Sequence, residues 1–215
     1  MRLRHLFPIV LILLAVSAFA QKVEKLPALD DASVPAAVKG VLDPAGSRVL
    51  LADGTPLAEV WLRKSTPKNA AAASDVLYPQ LALSQMVGVV RFPNGAKDFR
   101  GHAVKPGFYT MRYLVQPNDG DHMGTSPNPD FLLMVPVADD PDPNAKMDFK
   151  QLSTASARSS GTRHPAVFEM MGPEPGDLPR AYTNADSYLI FSANLKGDDG
   201  KSFPIAVVLK GQAPQ

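Results

Sequence analysis

The chain has 215 residues, a formal net charge of +1, 45% hydrophobic residues and no cysteine. The near-neutral balance argues against a nucleic-acid binder, which needs clustered basic charge, and the hydrophobic fraction is too high for a wholly disordered chain. Without cysteine there is no disulfide, iron–sulfur cluster or thiol nucleophile, and the length suits one domain or at most two small ones.

Arg2, Arg4 and His5 precede the apolar run Leu6 to Val16, and Ala18-Phe19-Ala20 puts small residues at the two positions a signal peptidase reads. This pattern predicts a secretory signal peptide over 1–20, with Gln21 opening the mature chain. The apolar run is short for a membrane anchor, which needs about 20 residues, and no later stretch approaches a span. Removing 20 of the 215 residues leaves 195, with 20 basic against 21 acidic side chains. An exported chain without cysteine fits a bacterial envelope, periplasmic or extracellular, better than a eukaryotic secretory route, where small domains often use disulfides.

Residues 21–45 read as a lead-in of alternating charges and prolines. Within it, 34–42 predicts one short helix, with Pro35 in its first turn and Ser33 as cap. A single domain is expected over 46–215. Arg48 to Ala52 runs into the turn pair Asp53-Gly54. Residues 57–63 alternate, with Ala58, Val60 and Leu62 on one face and Leu57, Glu59, Trp61 and Arg63 on the other. Strands are predicted at 86–92, stopped by Pro93-Asn94-Gly95, and at 99–104.

The clearest strand is 108–115. Tyr109, Met111, Tyr113 and Val115 share one face; Phe108, Thr110, Arg112 and Leu114 share the other. Phe131 to Val137 is nearly all apolar, as in a strand covered on both sides. Residues 148–158 suggest a helix and Ala166 to Met171 a strand. Two late strands, 187–195 and 203–209, flank a hairpin loop at 196–201. Many short strands with proline and glycine between them indicate an all-β fold, an antiparallel β-sandwich with one or two short helices.

Three segments, Glu59-Val60-Trp61-Leu62-Arg63, Gly88 to Pro93 and Lys105 to Tyr113, together with Asp119 to Pro127, resemble small secreted bacterial proteins of unknown function. That resemblance brings no catalytic residues. Pro106-Gly107-Phe108-Tyr109 also resembles the strand start of prealbumin-like sandwich domains, which implies a sandwich and nothing finer.

The chain holds no phosphate loop, dinucleotide fingerprint, Gly-x-Ser-x-Gly elbow or His-Glu-x-x-His. The segment 116–130 stands out instead. It is long for a hairpin loop and dense in Asp119, Asp121, His122 and similar side chains, which as turn formers satisfy local backbone groups and as a fixed loop form a binding surface. Met123, its one large apolar residue, is expected to tuck inward.

Metal binding is the alternative. His102, His122 and His164 all lie outside the apolar strands, and imidazole suits zinc and copper while thioether sulfur suits Cu(I). His122-Met123, followed by Met134, resembles the first half of a periplasmic copper-chaperone motif. Ser156 and Arg158 stand where the second half would be, so His164 would have to substitute. Met134 is otherwise core. Asp140, Asp142 and Asn144 alternate as in a calcium loop, but Ala145 and Gln151 replace its glycine and closing glutamate, which favours an acidic proline-rich connection.

Trp61, the only tryptophan, is a stacking platform for a sugar or partner if exposed, and core if its sheet is covered on both sides. The expected function is therefore an exported binding module for an envelope protein, a glycan or a small ligand, or else a copper or zinc protein using His122 with His102 or His164.

Overall fold

A computed structural model describes residues 21–67, 69, 75–116 and 128–213. Seven antiparallel strands form the main sheet, in the order β1 (Lys22–Leu26), β2 (Gly46–Leu50), β3 (Pro56–Leu62), β4 (Met86–Phe92), β7 (Gly107–Val115), β8 (Asp130–Pro136) and β9 (Val167–Glu169). A small hairpin, β5 (Ala96–Lys97) with β6 (Ala103–Val104), lies between β4 and β7 in the chain. The second sheet is β10 (Arg180–Thr183), β11 (Leu189–Lys196) and β12 (Ser202–Lys210). The fold is the all-β sandwich expected from the alternation.

The two sheets close on one interior. Val60, Val90, Tyr109, Met111, Tyr113 and Met134 of the large sheet meet Leu189, Phe191, Leu195, Ile205 and Val207 of the small one. The hairpin β11–β12 pairs as the sequence predicts, with Phe191 opposite Val207 and Leu195 opposite Phe203. A bridge between Met170 and Val207 joins the sheets at one seam.

The outer face of the large sheet is also covered, which period-2 alternation alone does not reveal. Val34, Val38 and Leu42, around the helix α1 (Ala36–Lys39), pack on Trp61, Met86 and Val89. The helix α2 (Phe149–Ser160) packs Leu152 on Leu114, Leu133 and Val135. Asp148 caps α2 in a reciprocal box with Gln151, and Gly161 ends it in the left-handed region at φ 67°, which suits a residue without Cβ.

Two local expectations are corrected. Ser33 does not cap α1: its N–H and hydroxyl both donate to Asp31, and Pro35 holds the N-cap position with no side-chain bond. The strand expected over 99–104 shrinks to Ala103–Val104, because Asp98 to Gly101 forms a tight turn. The lead-in contributes a sheet edge, since β1 pairs with β2 along all five residues.

Candidate functional site

Two of the sequence-predicted residues serve the core. Trp61 is 5% exposed and its indole N–H donates to the Pro27 carbonyl at 2.9 Å. Its ring lies over Gly46, where a Cβ would collide with it. This corrects the exposed-platform reading: covering segments bury the strand on both faces. Met134 is fully buried among apolar side chains of the interior, so its sulfur is packing rather than a ligand. Asp119, Asp121, His122 and Met123 lie outside the described residues.

The structure does bring His102 and His164 together. Their rings stack with centroids 5.3 Å apart and planes 7° from parallel. Behind them Asp98 is fully buried and accepts from the N–H groups of Arg100 and His102, with His102 Nδ1 3.2 Å from its Oδ2. Stacked imidazoles point their in-plane lone pairs side by side rather than at one point. Among the described residues, no three His, Asp or Glu side chains form a group that could hold a metal ion.

The calcium-like spacing at 139–148 has another use. Arg112, completely buried, donates to both Asp140 oxygens, at 2.6 and 2.8 Å, and to the carbonyls of Ser84, Asp142 and Ala145. Arg63 reaches the Pro143 carbonyl and Asn144 Oδ1. The acidic, proline-rich connection thus wraps two arginines. A guanidinium has five N–H donors, and here all five of Arg112 find acceptors, so it is scaffold rather than a reactive group.

A groove with exposed apolar side chains on its lining lies at Gln116, where the 116–130 segment begins. Its volume is about 630 Å³, and it is lined by Val76, Pro79, Leu81 and Leu83 on one wall, Tyr113 to Gln116 at its base, and Met147 to Phe149 on the other. That volume is in the range of small-ligand sites. Leu83 is 63% exposed and Phe149 41%, and the neighbouring Leu77 is 39% exposed; these are the exposed large apolar side chains of the described chain. Exposed apolar clusters on a soluble domain commonly mark interaction sites.

One wall is held by a buried carboxylate. Asp130 accepts from the Leu77 and Tyr78 N–H groups and, at 2.6 Å, from the Tyr113 hydroxyl. Tyr78 in turn donates to the Met171 carbonyl and accepts from Ala206 N–H. Burial pushes both phenols well above the ordinary tyrosine range, and the adjacent Asp130 adds to this. The 76–83 side of the groove is therefore anchored at Leu77 and Tyr78.

Sequence reasoning missed this groove. Phe149 is spaced with Leu152, Ser156 and Ser159 on the buried stripe of α2, but at the helix's first turn the sheet no longer covers it. Leu83 carries no periodic signal at all. Among the described residues no helix is long and apolar enough to cross a membrane. Comparison with family models, with curated proteins and with solved structures finds no match to this chain.

Proposed function

We propose that this chain is an exported protein of the bacterial envelope that acts as a binding module, and that its groove at Leu83 and Phe149 receives apolar side chains of a partner polypeptide. The observation that carries this is that the two most exposed large apolar side chains of the described residues, Leu83 and Phe149, both line one groove. Keeping them wet is unfavourable by about 25 cal/mol per Å² of apolar surface, so a partner that covers them gains binding energy. Asp119, Asp121 and His122, which follow Gln116 in the chain, are proposed to supply polar contacts to the partner. Titration with the neutral apolar dye Nile red, compared between wild type and Leu83→Asp, tests the site.

Copper or zinc binding is the second reading. The pairing of His102 with His164, and the carboxylate behind His102, favour it, since ligating imidazoles usually hold a carboxylate on the other ring nitrogen. The stacked rings and the surrounding cations oppose it. Calorimetric titration of each metal into wild type, His122→Ala and His164→Ala decides between the readings.

A further inference from the structure

Residues 97–105 and 158–164 carry Lys97, Arg100, Lys105, Arg158 and Arg163, besides His102 and His164, against a single acid, Asp98. The fold makes one corner of the two segments. Lys105 N–H donates to the Ser159 carbonyl, Phe99 N–H to the Val167 carbonyl, and the two histidines stack between them.

The one acid faces inward. Asp98 is buried and engaged by backbone N–H groups and His102. Arg158 is paired with Asp139 at 2.5 Å. Lys97, Arg100, Lys105 and Arg163 are all exposed, and none of them has an ion-pair partner among the described residues. In a chain whose predicted mature form is nearly neutral, this is a local concentration of one sign, which attracts opposite charge whatever the net balance.

The four cations stand at or beside the ends of short elements, and none of them lines a described groove. Lys97 and Arg100 flank the turn at Asp98, Lys105 follows β6, and Arg163 follows the end of α2 at Gly161. Exposed charges spread over two segments in this way suit a sheet of anions better than one small anion. We propose that this corner docks on the phosphate headgroups of an anionic lipid bilayer. The assignment rests on charge complementarity and is independent of the apolar groove.

The test is sedimentation with lipid vesicles, using the protein without residues 1–20, the form that keeps every described residue. Vesicles of phosphatidylcholine alone are compared with vesicles that also contain phosphatidylglycerol, in low salt. Binding to the anionic vesicles only is expected, and added salt should abolish it by screening. Lys105→Ala and Arg163→Ala should each lower partitioning about fivefold, with urea unfolding midpoints unchanged. Equal binding to neutral vesicles, or none to either, would overturn the proposal. Displacement by millimolar inorganic phosphate would reassign the corner to a small anion, and retention on an acidic polysaccharide without vesicle binding would reassign it to a glycan.

Discussion

Asp140→Ala removes the acid that folds the 139–147 connection back onto the sheet. In the native protein Asp140 accepts from Arg112 Nη2 at 2.6 Å, from Arg112 Nε at 2.8 Å and from the Thr110 hydroxyl at 2.5 Å. The side chains of Arg112 and Asp140 are each 1% exposed. Truncation leaves a buried guanidinium with only carbonyl oxygens as partners. Breaking one side of a buried pair costs about 3–5 kcal/mol. For a chain of this size each kcal/mol lowers Tm by roughly 2–4 °C, so a fall of roughly 6–20 °C is expected. Urea unfolding followed by the fluorescence of Trp61, buried and single, measures the change. Arg112→Met combined with Asp140→Ala should recover much of the loss, because replacing both partners leaves no stranded charge. A loss below about 1 kcal/mol, or a double variant whose effects merely add, would refute the clamp.

Burial raises the pKa of Tyr78 and Tyr113 in the folded state, so folding favours their neutral forms. Their contribution is intact below the unfolded tyrosine pKa of about 10, and is lost as pH rises above it toward the folded values, at up to about 1.4 kcal/mol per tyrosine per pH unit. Stability measured by urea unfolding across the alkaline range should fall steeply, and less steeply in Tyr113→Phe; equal slopes would contradict this. Phe191→Ala, at a residue 2% exposed between the two sheets, should cost about 3–5 kcal/mol in the same assay, and a loss under about 1 kcal/mol would remove Phe191 from the core. N-terminal sequencing of protein from the envelope fraction should begin at Gln21; an intact Met1 would overturn the export reading.

Alternation made the strands legible where one face meets the interior. Tyr109, Met111 and Tyr113 lie together there, as do Leu189, Phe191, Ala193 and Leu195. The same alternation misleads about the other face. Arg112 and Glu59 alternate with apolar residues and look solvent-facing, yet both are buried, because a distant acid or neighbouring arginines neutralise them. Glu59 holds Arg48 and Arg91, and Arg112 holds Asp140, 28 residues further along the chain. Such pairings depend on which strands become neighbours, and no local pattern encodes that. The edge strand Lys22–Leu26 was hidden for a similar reason: its charges suit an exposed edge, and only pairing with β2 makes it a strand. Of the candidate site, composition drew attention to 116–130, whose first residue, Gln116, lines the groove. The apolar walls stayed hidden, since exposure of Leu83 and Phe149 depends on where the sheet ends.

The binding-module reading turns on the groove, and Nile red titration tests it most directly. Wild-type protein should bind the dye with a blue-shifted, saturable fluorescence at one site. Leu83→Asp and Phe149→Ser should each weaken binding about tenfold or more, as removal of a large apolar contact does, with the unfolding midpoint of Leu83→Asp nearly unchanged because that side chain is already 63% exposed. Dye affinity that is the same in wild type and in both variants would contradict the assignment of this groove as the binding surface.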